Sequence, residues 1–432
     1  MAQIRPVAIL GGLRTPFARQ GTAFSESSNI QMLTAVLGAL ADRYNLRDEP
    51  IGEVAAGAVL KHSRDANISR EAVLDSSLPA QVPAYDVQQA CTTSLQTAVL
   101  VANKIATGQI EAGIAAGVDS ASDSPVAVNE RLRRILLRFD RTKRAQDRLR
   151  ILLQLRPSML TPAVPNVNER STGLSMGEHC ELMVKHWNIT REQQDRLALT
   201  SHQRGAQAYE MGFFADLVIP FMGLSRDNNL RTDTSLERLA RLQPAFDRTS
   251  GRGSVTAGNS TPLTDGAAAV LLASEEWASA HHRVPQAWLI DSQSTAVEFR
   301  GTKGHELLMA PTRAVARLLS RNGLRLQDFD FYEIHEAFSG QVLCNLAAWE
   351  SDEYCREELQ LAKPLGAIDP TRLNVNGGSV ALGHPFGATG ARILGGAAKL
   401  VMQHRQNTGR SGRALISVCA AGGIGAAAIV QS

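Results

Sequence analysis

Cys91 is the residue of this sequence best placed to act as a nucleophile. It follows Gln88 to Ala90 and precedes Thr92 to Leu95, where a helical periodicity starts and continues through Lys104. Free amides and the macrodipole at a helix N-terminus favour a thiolate over a thiol. The position therefore predicts a reactive thiol. The alternative is the common role of an unpaired cysteine as a small buried hydrophobe.

His384 lies in the glycine-rich segment Asn374 to Arg392, just before a helix predicted over residues 388–402. The glycines allow backbone to come close to a ligand, and the helix behind them supplies a positive end. A histidine in this setting can deprotonate a thiol. The alternative is a loop histidine among glycines that serve only close helix packing.

Cys419 follows a predicted strand, Arg413 to Val418, and opens a glycine-rich turn that extends to Gly425. Successive amides of such a turn, including that of Ala421, can point at a developing oxyanion. A second thiol and oxyanion donors would then share one loop.

His335 follows an apolar run in the segment Tyr332 to Gly340. An imidazole there can polarise a carbonyl group or hold a water molecule. Taken alone, a histidine in this setting is more often structural.

These residues need elements that bring them together, and the chain alternates short β-branched runs with helical segments, which predicts an α/β fold. Residues 121–246 are charge-rich and helical, which indicates an inserted loop domain. We expect a first half from residues 1–120 plus 247–286 and a second from 287–432. Both halves carry a loop with a reactive residue followed by a helix, so we expect them to be similar.

The composition is that of an ordinary globular protein of 432 residues with a net charge of +3, which gives no basis for nucleic-acid binding. Five widely spaced cysteines, an odd number, favour a reducing compartment over a disulfide framework. No export signal is visible, so we expect a cytoplasmic location. The histidines show no metal-ligand spacing, and we predict no metal site.

Together these segments resemble the thiolase family over essentially the whole chain. The shared motifs are Gly11 to Phe17, Ala257 to Asn259, Thr264 to Ala267, Asn374 to Arg392 and the Cys419 loop. The resemblance implies a five-layered αβαβα core of two similar halves, assembled as a homodimer or a dimer of dimers. It also implies coenzyme A as a co-substrate and no permanently bound cofactor.

The same resemblance implies a role for each reactive residue. Cys91 would carry the acyl group, His384 would activate it, and Cys419 would act as acid and base at the α-carbon. The amides of Cys91 and Ala421 would form one oxyanion site, and His384 would belong to another. The implied reaction is thiolytic cleavage of a 3-ketoacyl-CoA, or its reversal as a Claisen condensation.

Two departures from the common family pattern narrow the resemblance. The motif usually read Asn-Glu-Ala-Phe is here His335 to Phe338, and a glycine common at the position of Ala421 is absent. Both resemble the thiolase subunit of the fatty-acid β-oxidation trifunctional complexes. Residues 131–156 carry ten Lys or Arg against two acidic residues, with leucines interleaved. This pattern fits a solvated helix face and fits equally well an amphipathic surface for a hydratase-dehydrogenase subunit or a membrane.

Three further residues match family positions that touch the substrate. Arg231 and Thr261 match positions that contact CoA, and Met176 matches one that lines the acyl pocket. Three alternative functions were weighed against a 3-ketoacyl-CoA thiolase. They are a biosynthetic acetoacetyl-CoA thiolase, a decarboxylating ketoacyl synthase, and a non-catalytic acyl-CoA or lipid carrier. The second thiol, Cys419, speaks against the synthase.

Overall fold

The structure is a computed structural model that describes residues 4–49, 51–163 and 168–432. The strands within these ranges are β1 Val7–Arg14, β2 Ala18–Arg19, β3 Glu53–Ala56, β4 Ala84–Asp86, β5 Ala112–Asp119, β6 Thr264–Ser274, β7 Ala287–Ala296, β8 Phe331–Ile334, β9 Arg413–Ala420 and β10 Ile424–Gln431. The α-helices are α1 Asn29–Tyr44, α2 Ile68–Asp75, α3 Thr93–Ala106, α4 Glu130–Arg141, α5 Ala145–Leu152, α6 Met176–His186, α7 Arg191–Glu210, α8 Leu236–Ala240, α9 Glu275–Ala280, α10 Ala310–Asn322, α11 Ser339–Glu350, α12 Asp352–Glu357, α13 Ser379–Leu382 and α14 Thr389–Thr408.

The strands form two half-sheets with the same pairing pattern. In the first, β3 is parallel to β5, followed by antiparallel β6 and β1; in the second, β8 is parallel to β9, followed by antiparallel β10 and β7. The half-sheets join where β1 meets β7, at Ala8 opposite Trp288 and Ile9 opposite Ala287. The repeated pattern shows that the core consists of two similar halves.

Three apolar clusters stack the helices and half-sheets into five layers. Helices α1 and α2 cover the outer face of the first half-sheet. Helices α3 and α14 lie between the two half-sheets and pack on both of them. Helices α10 and α11 cover the outer face of the second half-sheet. This arrangement confirms the predicted α/β class and the αβαβα core.

Glycines allow the central elements to approach one another closely near the start of α14. A methyl group on Gly117 in β5 would overlap the carbonyl oxygen of Gly387, and one on Gly390 would overlap the backbone nitrogen of Leu95 in α3. The backbone N–H of Ala391 donates to Ser94 Oγ at 2.8 Å. Backbone of the two halves is therefore in direct contact at the N-terminal ends of both central helices.

Helices α4 to α8 lie between β5 and β6 in the chain, within the predicted inserted domain. A buried ion pair ties this segment to the core: the guanidinium of Arg14 in β1 donates to both carboxylate oxygens of Asp227, at 2.6 and 2.7 Å. Tyr209 in α7 donates to the same carboxylate at 2.8 Å. Such a bidentate pair fixes orientation as well as distance. The predicted domain boundaries, with an inserted domain over 121–246 and a second half from 287, stay a prediction.

Two segments differ from what their sequence pattern indicates. The pattern of residues 253–259 is that of the layered core, but the segment forms turns and a bridge, because its backbone is tied to side chains such as that of Glu181. The pattern of residues 85–90 is that of a strand or the approach to one; the strand ends at Asp86, whose carboxylate accepts from the amides of Ile68 and Ser69.

Substitutions at two glycines of α14 test the close contact between the central helices. Gly390→Ala should destabilise the protein by about 1–3 kcal/mol, because the added methyl overlaps backbone that cannot move freely. Gly396→Ala is the matched control: nothing lies within 4 Å of the added carbon, and the change should stabilise the helix by about 0.5–1 kcal/mol. Denaturant unfolding measures both, and equal stabilities would contradict the contact.

Candidate active site

The backbone around Cys91 is held in an unusual conformation. Helix α3 begins two residues after Cys91, and Ala90 before it has φ 47°, in the left-handed region. Thr93 fixes this turn, because its hydroxyl accepts from Gln89 N–H at 2.9 Å and donates to the Ala90 carbonyl at 2.7 Å. A left-handed alanine costs about 1–2 kcal/mol, which the surrounding contacts offset.

Burial opposes the thiolate that the helix N-terminus favours at Cys91. Burial raises the pKa of the Cys91 thiol to about 12, and the nearby Asp119 adds to the rise. The amide of Ala421 and the amide of Cys91 itself hydrogen-bond the sulfur and lower the pKa, but by less than burial raises it. Desolvation outweighs the helix end. The thiol therefore needs a base in order to react.

The structure brings two histidines to Cys91. The sulfur of Cys91 and one ring nitrogen from each of His335 and His384 all lie within 4.8 Å of one another. The two imidazole rings are 4.1 Å apart between centroids and tilted by 47°. Residues separated by 293 positions in the chain thus form one compact cluster.

The hydrogen bonds of His384 fix its tautomer. Its Nδ1 lies 2.6 Å from Thr389 Oγ1, and that hydroxyl donates its single proton to the carbonyl of Pro385 at 3.0 Å. We therefore assign the imidazole proton to Nδ1, which leaves the lone pair of Nε2 free. Burial, helped by Arg392, lowers the pKa of His384 to about 3, so the ring is neutral. It can take a proton from Cys91.

His335 has the other tautomer, with the ring proton on Nε2. Arg392 donates to Ser379 Oγ at 2.7 Å, and that oxygen lies 2.7 Å from His335 Nδ1. The single hydroxyl proton of Ser379 has Nδ1 within reach as an acceptor, so we assign the ring proton of His335 to Nε2. In the described part of the chain, this buried Nε2 has no hydrogen-bond partner. Burial, His384 and Arg392 hold the pKa of His335 well below its usual value.

Cys419 lies close to Cys91 but in a different setting. It is buried within β9, one residue before the strand ends, and the amide of Ala337 hydrogen-bonds its sulfur. Burial raises its pKa well above the usual value, and the neighbouring Cys91 adds to the rise. Cys419 is therefore a protonated thiol at rest, available as an acid.

The turn after Cys419 is fixed from the inserted segment. Its amides point in two directions: that of Ala421 toward the Cys91 sulfur, and that of Gly422 to Glu169 Oε1 at 2.6 Å. Gly422 and Gly423 both have left-handed backbone, at φ 79° and 68°. The sequence identified this turn and its glycines but gave no sign of Glu169.

The residues predicted to touch substrate fall in two places. Thr261 donates through its amide and hydroxyl to the carbonyl of Ala337, at 3.1 and 3.2 Å. Met176 packs against the apolar cluster that contains Cys419. Arg231 instead lines a surface cleft of about 430 Å³ whose lining includes none of the reactive residues. The structure brings the first two to the site and leaves Arg231 outside it.

Sequence reasoning missed three supporting side chains. Asp119, buried at the end of β5, accepts from the amides of Val59, Leu60 and Gly387, which ties the His384 loop to the first half. Ser379 and Thr389 stand within the motif that identified His384, but only their hydrogen bonds reveal which ring nitrogen each one fixes. The one sequence feature that could have indicated a role for Asp119 is its place as a single aspartate at the end of an apolar strand.

Comparison with known families accounts for nearly all of the chain. A family model described as the N-terminal domain of thiolase matches residues 7–276, and one described as the C-terminal domain of thiolase matches residues 290–432.

Similar proteins carry related names. Relatives named 3-ketoacyl-CoA thiolase from Erwinia tasmaniensis and Escherichia coli are 41% identical to this chain, with 98% and 99% of this chain and 96% and 97% of the relatives covered. The crystal structure of the Bacillus anthracis acetyl-CoA acetyltransferase matches at a TM-score of 0.81 and 29% identity, covering 100% of both chains. A thiolase from Ascaris suum in complex with coenzyme A matches at 0.80 and 27%, covering 99% of this chain and 100% of that one.

The role of Thr389 can be tested without any assumption about the substrate. Thr389→Val removes the acceptor for His384 Nδ1–H, which leaves a buried donor unpaired at a cost of about 1–3 kcal/mol. Fewer molecules then present Nε2 to the thiol, and alkylation of Cys91 by iodoacetamide should slow by about 10-fold. The measurement is peptide mass spectrometry of Cys91, the one cysteine that is not fully buried. Thr389→Ser keeps the hydroxyl and should react like the parent; equal rates for both variants would contradict the assignment.

Proposed function

The chain belongs to the thiolase family, and we propose that it cleaves 3-ketoacyl-CoA with CoA through an acyl group held on Cys91. The observation that carries this is the cluster of a neutral thiol, a neutral imidazole with a free lone pair and a second buried thiol. Acyl transfer needs the first two, and protonation of a carbon centre needs the third.

In the first stage, Cys91 would attack the 3-keto carbon while its proton passes to Nε2 of His384. The oxyanion that forms on this carbon would be stabilised by the amides of Cys91 and Ala421, since both already reach the Cys91 sulfur. The bond between carbons 2 and 3 then breaks, and its electron pair forms the enolate of acetyl-CoA.

The enolate needs donors at its oxygen and a proton at its carbon. His335 Nε2–H and the protonated Nε2 of His384 are the buried donors available for the oxygen. The thiol of Cys419 would protonate carbon 2 and leave a thiolate. Burial raises the pKa of this thiol, and the same cause makes the resulting thiolate a strong base.

In the second stage, CoA would attack the thioester on Cys91. The Cys419 thiolate would accept the proton of the CoA thiol, and the same backbone amides would stabilise the second tetrahedral oxyanion. Collapse expels Cys91 as a thiolate, which takes its proton back from Nε2 of His384, and releases the shortened acyl-CoA. Both cysteines return to their starting protonation states, so the cycle is balanced.

Several finer assignments belong to this proposal. Coenzyme A is a substrate and no cofactor is permanently bound. Thr261, Met176 and Arg231 would contact substrate, Arg231 through the surface cleft that it lines.

The relatives' names support a degradative role in β-oxidation, while a biosynthetic acetoacetyl-CoA thiolase is the alternative. We propose a homodimer or dimer of dimers in the cytoplasm, where five free cysteines are stable.

The α4–α5 hairpin has the features of a surface that binds anionic lipid. Leucines at positions 136, 137, 149, 152 and 153 are between 38% and 76% exposed, among the basic residues of 131–156. Basic helices with exposed leucines bind anionic interfaces through both features. In the described ranges, no helix is long and apolar enough to cross a membrane. A hydratase-dehydrogenase subunit is the alternative occupant of this surface.

Serine variants test the two-thiol mechanism. Cys91→Ser and Cys419→Ser should each lower the CoA-dependent loss of 3-ketoacyl-CoA absorbance by more than about 1000-fold, because a hydroxyl is a far weaker acid and nucleophile. Cys355→Ser, a buried cysteine outside the cluster, is the matched control and should keep activity. A chain-length series ranks the substrates. A parent protein inert on every chain length would favour the non-catalytic carrier.

Flotation with phosphatidylserine vesicles tests the hairpin. The triple variant Leu136→Ser, Leu137→Ser and Leu149→Ser should lose vesicle binding while keeping thiolytic activity, since all three side chains face solvent. Salt should weaken binding of the parent. Vesicle binding that survives the triple change would refute the lipid surface. Binding to a hydratase-dehydrogenase subunit but not to vesicles would identify the alternative occupant.

A further inference from the structure

The cluster of Cys91, His335 and His384 has a second chemical capacity besides acyl transfer. Thiolate sulfur and imidazole nitrogen are the ligands that Zn²⁺ prefers in proteins, and three such protein ligands with an open fourth position form a common zinc geometry. The three donor atoms already lie within 4.8 Å of one another. Nothing in the linear spacing of these residues predicts such a site.

The surrounding hydrogen bonds suit metal ligands. Both histidines use Nδ1 for a hydroxyl, on Ser379 and Thr389, so each offers Nε2 to the cluster. Zinc-bound histidines nearly always donate the second ring N–H to an acceptor. Thr389 Oγ1 already accepts from His384, and Ser379 Oγ can accept from His335 once the ring proton has moved from Nε2 to Nδ1. The buried Nε2 of His335 has no partner in the described residues, so an incoming ion would displace no protein contact there.

The distances require only a small contraction. Zinc lies about 2.0–2.1 Å from imidazole nitrogen and about 2.3 Å from sulfur, which places tetrahedral ligands of these two kinds roughly 3.3–3.6 Å apart. The donor atoms lie within 4.8 Å of one another, so side-chain rotations that shift them by roughly 1 Å reach that spacing.

We propose that Cys91, His335 and His384 bind a borderline divalent transition-metal ion, with Zn²⁺ as the reference, and that the bound ion inhibits the enzyme. On binding, Cys91 loses its thiol proton to solvent, and the Nε2 proton of His335 moves to Nδ1, where Ser379 Oγ accepts it. One proton leaves for each ion bound. The ion occupies the nucleophile and its base, so it excludes acyl-CoA, and Mg²⁺ and Ca²⁺ lack the preferred ligands.

Cobalt and zinc titrations of the whole protein provide the test. Co²⁺ should produce a thiolate-to-cobalt charge-transfer band together with the visible bands of tetrahedral coordination, and Zn²⁺ should displace it. Calorimetry in buffers of different ionisation enthalpy should report one proton released per ion. Cys91→Ala should lose the charge-transfer band.

Variants of one ligand, of its hydrogen-bond partner and of a distant histidine make the test specific. His335→Asn should weaken Zn²⁺ binding by at least about 100-fold, and Ser379→Ala by about 10-fold, because even outer partners of a ligand contribute 10–100-fold. His281→Asn, in the outer layer beside Trp277, is the matched control and should bind as the parent does. Binding that is unchanged in His335→Asn, or a cobalt spectrum without the thiolate band, would overturn the proposal. Because the readout is binding, that result would leave the acyl-transfer function untouched.

Discussion

The close approach of the two halves at the start of α14 is the constraint on which the site depends. Cys91 belongs to the first half and the histidines to the second, so their separation is set by how closely β5 and α3 meet the His384 loop. Gly117 and Gly390 permit that approach, since a methyl group at either position would overlap backbone of the facing element. Asp119 then locks the loop by accepting from Gly387 N–H at 2.6 Å. The packing of the central layer therefore sets the separation of Cys91 from the two histidines.

Burial imposed by this packing decides the charge state of every reactive group. It raises the pKa of Cys91 and Cys419 and lowers that of His335 and His384, so the resting cluster is neutral. A thiolate and imidazolium formed together by proton transfer neutralise each other, whereas either one alone would be desolvated without compensation. Proton transfer from Cys91 to His384 therefore produces an ion pair and not an isolated buried charge.

The sequence allowed the α/β class, the two halves and the reactive residues to be predicted, because motifs such as Asn374 to Arg392 record backbone requirements directly. The helix N-terminus beside Cys91 is visible in the sequence, whereas the desolvation that raises the pKa of its thiol comes from residues distant in the chain. The grouping of Cys91 with His335 as possible metal ligands was not predicted either, because these residues are distant in the chain. Hydrogen bonds from Ser379 and Thr389 depend on rotamers, which no spacing rule specifies.

The histidine at position 335 changes what the site requires of its neighbours. An asparagine amide always carries donor hydrogens, whereas a neutral imidazole donates from only one nitrogen and needs a partner to fix which one. Ser379 provides that partner, and Arg392 orients Ser379 by occupying one of its lone pairs. Arg392 is itself buried beside Glu333, whose pKa is raised to about 7 by burial despite the nearby guanidinium. A donor at His335 thus depends on a buried charged network beneath it, and the same free nitrogen that can serve an oxyanion completes a set of metal ligands.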